Sequence, residues 1–209
     1  MGGIKQVSFE WYNVVSQDTD IAQGDILMGC RIPFFESTDA PPFVQVRAPK
    51  QDVIIMTQAC DLANQKIDYV TVCPLMSMSH IIQQLMLNDY EEGSEAREGF
   101  DYTKLTGKQK KRKQSIIQSL KSGHYLDLHV LNHNVNEKNP ELNMEYKIVQ
   151  LKQAYIVPIK TLKQMMSEME KTSRLSLLPP YREHLAQAYA RTFGRIGLPI
   201  DLCINDSEV

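Results

Sequence analysis

Val53-Ile54-Ile55-Met56-Thr57-Gln58-Ala59-Cys60-Asp61 is the stretch on which the reading of the fold turns. Four consecutive apolar residues are more than a half-solvated strand can use. The run therefore predicts a short strand buried on both faces. Thr57, Gln58, Cys60 and Asp61 follow at once. Polar side chains at the end of a buried strand are held rigidly yet stay reachable from the adjoining loop, so the cluster is a candidate site. The same residues equally suit a turn or a helix start, where Thr57 and Asp61 would cap backbone N–H groups.

Working outward, 8–15 is aromatic and β-branched, and 23–30 is an apolar run bounded by Gly24 and Gly29; both read as strands. Asp39 to Pro42 reads as a loop, Phe43, Val44 and Val46 lead to Arg47, and 49–52 reads as a turn. A further strand, 69–73, is stopped by Pro74. Four or five short strands with tight connections in the first 75 residues predict a small barrel.

The middle changes period. Ile81, Ile82, Leu85 and Met86 recur at helical spacing and predict a helix over 78–88. Residues 89–99 read as an acidic exposed loop. Thr106 and Gln109 form a capping-box pair before Ile116, Ile117 and Leu120, and Gly123 ends that second helix. Strands return at 125–131, 146–149 and 154–158, around a polar turn region at 132–143. Thr161 to Lys171 reads as an amphipathic helix with its own capping pair, Thr161 and Gln164, and a stripe of Met165, Met166 and Met169 that suits a core or a partner helix. Pro179-Pro180 opens a last helix, which Gly194 or Gly197 ends. The expected organisation is one domain over 1–209. Its barrel covers about 8–75 and 124–160, a two-helix insert 76–123, and C-terminal helices 161–198.

Composition bounds the function. The chain has 209 residues, 43% hydrophobic and 23% charged, with a formal net charge of -2. That balance supports a sizeable core and gives no global field to recruit nucleic acid or membrane. No apolar run reaches the roughly 18 residues needed to span a bilayer. The beginning of the chain lacks a signal-like apolar segment, and Gln6 stands where a myristoylation signal needs Ser or Thr. The expected compartment is the cytoplasm. Cys30, Cys60, Cys73 and Cys203 form no C-x-x-C pair, which argues against a zinc ribbon or thioredoxin-like centre. Cys30 and Cys73 read as small buried hydrophobes, whereas Cys60 would need a nearby base to act as a nucleophile.

Two basic sets could carry chemistry. Lys108, Lys110, Lys111, Arg112 and Lys113, flanked by Lys104 and Lys121, concentrate positive charge on one helix and suit RNA or ribosome contact. The alternative is a solvated face balanced by the acidic loop. Arg182, His184, Arg191 and Arg195 form the second set. An Arg that binds phosphate beside a His that moves a proton is a minimal kit for RNA strand cleavage, and the alternative is a set that braces the helix. His124, His129 and His133 lie close in sequence, but a strand and a turn would aim them apart, so no metal site is expected.

Gln23-Gly24-Asp25-Ile26-Leu27, an apolar strand ending in Thr57, and then Val70-Thr71-Val72-Cys73-Pro74-Leu75 together resemble the MazF/PemK family of toxin ribonucleases. The resemblance covers about residues 20–80 and, more loosely, 125–160. It implies an SH3-like barrel and cofactor-free, metal-independent cleavage of single-stranded RNA. The family uses an Arg just before the apolar strand and a Thr after the later one. Arg47 is the nearest counterpart of the first, separated from the strand by 48–52. Met76 stands at the second, with Ser77 following. The Thr57 to Leu62 run and the Pro179 to Leu185 ending are also similar to the MazF-like CalpT proteins of type III CRISPR signalling, which pair with a protease and a sigma factor.

The resulting expectation is an α+β chain built on an SH3-like barrel, acting as an RNA-cleaving or translation-blocking toxin of a defence or stress system. Arg47, Thr57, Asp61, Ser77, Arg182 and His184 are the candidate catalytic residues. Lys108, Lys110, Lys111, Arg112, Lys113, Arg191 and Arg195 are the candidate RNA contacts. The expected partners are RNA or the ribosome and a neutralising protein, with a homodimer left open as one assembly and no DNA or membrane. The competing expectation is a non-catalytic adaptor that binds a defence-operon protease or sigma factor through an exposed face near Met165, Met166 and Met169.

Overall fold

The structure, a computed structural model, describes residues 10–37, 44–64, 67–169 and 171–194. The chain order is β1 (Tyr12–Ser16), β2 (Asp25–Arg31), β3 (Phe34–Ser37), β4 (Val44–Arg47), β5 (Lys50–Ile55), α1 (Ala59–Ala63), β6 (Tyr69–Ser77), α2 (Met78–Leu87), α3 (Glu95–Glu98) and α4 (Gly107–Lys121). Then come β7 (Leu128–Leu131), a single helical turn (Pro140–Leu142), β8 (Lys147–Gln150), β9 (Tyr155–Pro158), α5 (Ile159–Ser167), β10 (Ser173–Leu177) and α6 (Tyr181–Phe193).

Eight strands form one antiparallel sheet in the order β1-β10-β2-β5-β6-β8-β7, with β9 also paired to β6. β3 and β4 form a separate hairpin that extends β2 and β5. Val53, Ile54 and Ile55 of the apolar run lie in a doubly buried strand, fully buried at the centre of the sheet, and Met56 follows its end. Ile54 packs with Ile26, Cys73, Leu75, Val149 and Leu175 on one face. Val53 and Ile55 pack with Leu27, Val70, Val72 and Leu162 on the other. The period-two alternation thus feeds two cores at once. Burial pushes the Cys30 and Cys73 thiols up to about 12, so both are protonated core side chains.

Several expectations need correction. The turn expected at 49–52 is mostly strand, because Lys50 and Gln51 pair with Arg31 and Cys30. Pro74 does not stop its strand. It lies where the second neighbour of β6 changes from β9, paired over 69–72, to β8, paired over 75–77, so its missing N–H falls in the gap between the two ladders. The expected 161–198 helical region contains β10, which sits between β1 and β2. Thr161 lies inside α5 and caps nothing; the helix begins after Pro158. The insert holds three helices rather than two, since α3 forms within the acidic loop.

The sheet is open. Among the described residues no backbone ladder joins β1 to β7, so the closed barrel is replaced by a curled antiparallel sheet. The reason is β10: β1 takes its partner from residues 173–177, and the first 75 residues cannot close on themselves. The two edges nonetheless approach. Tyr12 Oη donates to the Asn132 carbonyl at 2.6 Å, and Tyr12 and Leu131 share one core cluster. Helix α6 lies along this seam, with Leu185 buried and the Tyr181 ring stacked on Trp11 at 3.9 Å.

The insert packs on the far side of β7 and β8. Ile81, Ile82 and Met86 of α2 meet Ile116 and Leu120 of α4 over Ile148. Both ends of α4 are set by local chemistry. Thr106 N–H donates to Gln109 Oε1 at 2.8 Å, and Gln109 N–H returns to Thr106 Oγ1 at 3.4 Å. At the other end Gly123 adopts φ 68°. Its N–H reaches the Leu120 carbonyl while His124 N–H reaches that of Ser119, which is the paired-bond helix stop that favours glycine.

Candidate functional site

The walls just described leave a groove of about 1050 Å³ along β7, between α4 and α2 on one side and α6 with Trp11 on the other. Because β7 is the last strand of the sheet, residues from both of its faces reach this space, His129 among them. Helix α6 presents His184, Gln187, Ala188 and Arg191, which are spaced to share one face. Helix α4 presents Lys113, Ile117, Leu120 and Lys121. Tyr102, Tyr125 and Tyr146 add aromatic surface.

The two histidines come from distant parts of the chain and feel each other. His129 is pushed down to about 4, first by burial and second by the charge of His184. At neutral pH its imidazole is therefore neutral, with a free ring nitrogen to accept a proton, while His184 stands exposed on the rim. Lys113 places its ammonium 4.7 Å from the centroid of the Tyr102 ring, a cation–π contact that orients it. Among the described residues, Arg191 and Lys121 make no side-chain hydrogen bond or ion pair, which leaves both cations available to a ligand in the groove.

The other sequence candidates lie elsewhere. Thr57 Oγ1 accepts the Thr71 N–H at 2.7 Å, fastening the end of β5 to the start of β6. Asp61 is exposed on α1, beside the Cys60 thiol at 3.7 Å. Ser77, bonded to Ser79 at 2.7 Å, marks the opposite end of β6. At about 3.3 Å of rise per residue, six residues from Thr71 to Ser77 put the two hydroxyls roughly 20 Å apart. Arg47 is exposed on the β3–β4 hairpin. Arg182 pairs with the adjacent Glu183 at 2.7 Å and lies over Gly24, away from the groove-facing stripe of its helix. The six catalytic candidates therefore do not share one pocket; His184 alone among them lines the groove.

The RNA candidates divide similarly. Lys113 and Arg191 line the groove. Arg112 makes a two-pronged bond to Asp89, at 2.7 and 2.8 Å, and that carboxylate raises its pKa further. Lys108, Lys110 and Lys111 are exposed on α4. Arg195 lies outside the described residues. Sequence reasoning weighed His129 only as a metal ligand and set it aside. The alternation of 128–131 sets His129 opposite Val149 of β8, but it carries no signal of the helix that packs across it.

Gly24 and Asp25, the residues that carry the family resemblance, serve the scaffold. Arg174 is 3% exposed and donates from Nε to Asp25 Oδ2 at 2.7 Å. Its remaining N–H groups reach the carbonyls of Ser16, Gln17, Thr19 and Asp20. The guanidinium thus holds the whole β1–β2 connection. Gly24 adopts φ 86°, and a Cβ there would stand 3.0 Å from that of Leu177.

No protein-family model matches the chain, and no curated protein matches it. No helix among the described residues is long and apolar enough to cross a membrane.

Proposed function

We propose that this chain is an endoribonuclease that holds single-stranded RNA in the β7 groove and cleaves it with His129 and His184. The observation that carries this reading is the meeting of two imidazoles of unlike environment in one groove with unpaired cations. His129, neutral at physiological pH, takes the proton of a ribose 2′-hydroxyl. The 2′-oxygen attacks the adjacent phosphorus, and Arg191, with Lys113 or Lys121, stabilises the charge that gathers on the five-coordinate phosphate. His184 acts as the general acid and gives a proton to the departing 5′-oxygen. The products are a 2′,3′-cyclic phosphate and a free 5′-hydroxyl. The nucleophile belongs to the substrate and is held in line by the groove, so this chemistry asks for no protein nucleophile, metal or cofactor.

The sheet is curled but not closed, so kinship with the MazF/PemK toxins rests on the sequence resemblance alone, and a cytoplasmic toxin restrained by a protein partner is the cellular setting of the reading. The cleavage residues differ from those the resemblance implied, since Arg47 and Ser77 lie outside the groove. Of the three methionines on which the adaptor reading rests, Met166 is buried, Met169 packs against the same core and Met165 is half-buried.

Incubation with a mixed-sequence RNA in the presence of a chelator tests the proposal. Cleavage should persist and leave cyclic-phosphate ends. His129→Gln and His184→Gln should each lower the rate by roughly 10²- to 10⁴-fold. Intact RNA with the parent protein, or full activity in both variants, removes the assignment.

A further inference from the structure

The groove has a second end, beyond the histidines, where Asn132, Glu145 and Tyr146 meet. The pairing of Leu131 with Lys147 and the bridge of Asn134 to Met144 set Asn132 opposite Tyr146 and His133 opposite Glu145. Tyr146 is 47% exposed, large for an aromatic ring lining a groove, and its ring is supported by His133 at 4.8 Å. The polar groups beside it are directed. Asn132 Oδ1 is committed to the His133 N–H at 3.0 Å and lies 3.0 Å from that residue's ring nitrogen, which leaves the Asn132 amide N–H₂ without a partner among the described residues. Glu145 is tethered at 3.6 Å by Lys147, which is itself largely buried and anchored by Asp52 at 3.3 Å.

We infer that this end of the groove is a nucleobase subsite selective for guanine. The inference rests on the RNA reading above and names the base that the site takes. An aromatic face accepts any base by stacking, so selection must come from the edge groups. A carboxylate is an acceptor with two oxygens. Guanine offers two adjacent donors, N1–H and N2–H, on its Watson–Crick edge. Adenine and cytosine each set one donor beside a ring acceptor, and uracil flanks its single donor with two carbonyls. Glu145 accepts from both guanine donors, and the Asn132 amide donates to O6. Each of the other bases would leave a lone pair of Glu145 facing an acceptor.

Trp11 is the single tryptophan of the chain and lines the same groove, so its fluorescence reports occupancy. The experiment titrates the intact protein with GMP, IMP, AMP, CMP and UMP, and with short 2′-deoxy-blocked oligonucleotides that differ in one base. GMP and the guanine-containing oligonucleotide should bind roughly 10- to 100-fold more tightly than their counterparts, with IMP, which lacks the N2 donor, between. Glu145→Gln should erase the preference while keeping oligonucleotide affinity within a few-fold, and Tyr146→Ala should weaken all bases alike. Equal affinity for the four bases overturns the guanine subsite and leaves the RNA reading standing. A preference that survives Glu145→Gln also overturns it. Fluorescence unmoved by every oligonucleotide overturns both. Guanine-selective binding without strand cleavage supports the subsite and removes the cleavage reading.

Discussion

The molecule holds arginine in two opposite ways. Arg174 is almost fully buried, and each of its N–H groups ends on a carboxylate or carbonyl of the β1–β2 connection. Arg191 stands on the rim of the groove, exposed and without a side-chain partner among the described residues. Residue type is the same, yet one is a rivet and the other is free to meet an anion. The difference teaches that a polar residue near a strand end signals function only when the fold leaves its hydrogen-bonding capacity unspent. Thr57, whose hydroxyl oxygen holds the Thr71 N–H, fails that criterion, while His184, Lys121 and Arg191 meet it.

The sharpest break of the comparison is Arg174→Ala. It leaves Asp25 as an uncompensated buried charge and strips four carbonyls of their donor, so the loss of stability should be about 3–5 kcal/mol. Arg191→Ala should leave the denaturation midpoint where it was. Urea unfolding of both variants checks the pair, and a mild effect at Arg174 would falsify the rivet reading. Gly24→Ala follows in size. It forces a side chain into a left-handed backbone conformation against Leu177 and should cost about 1–3 kcal/mol.

Much of the fold was legible because its signals are local. The doubly buried run at 53–55, the α4 capping box and the Gly123 stop depend on neighbours within a few residues. β10 was not legible. Leu175 and Leu177 alternate with Arg174 and Ser176 over a stretch too short to separate from a helix lead-in, and its partners lie some 150 residues away. The site shows the same limit. His184 and Arg191 are seven positions apart on one helix, so spacing could propose them together. His129 joins them only through long-range packing, and no local pattern in 125–131 announces that α6 will lie across it.

The pairing of His129 with a low-polarity setting makes a pH prediction of smaller size. Its pKa in the folded chain, about 4, lies below the ordinary histidine value of 6.5. Between those values the unfolded chain binds more protons, so stability is full above about pH 6.5 and falls as the pH drops towards 4. His129→Gln should flatten that slope in urea midpoints measured across the window, and His184→Gln should shift it slightly, since the charge of His184 is only the second cause. An unchanged slope in His129→Gln would place that imidazole in water rather than in the groove wall.

The finest contrast lies within α4. Lys113 turns into the groove and is held over Tyr102, whereas Lys108 and Lys111 are exposed elsewhere on the helix. If phosphates track the groove, only the first neutralises them. Each phosphate contact on a single strand contributes about 0.7 to the slope of log affinity against log salt. Lys113→Gln should lower that slope by about this amount, and Lys108→Gln should leave it unchanged at equal net charge. The matched charge loss matters, because long-range attraction would fall equally in both variants. A difference between them isolates the local contact. Equal slopes would mean that the basic helix acts as a diffuse field, and the groove would lose its claim to the backbone of the RNA.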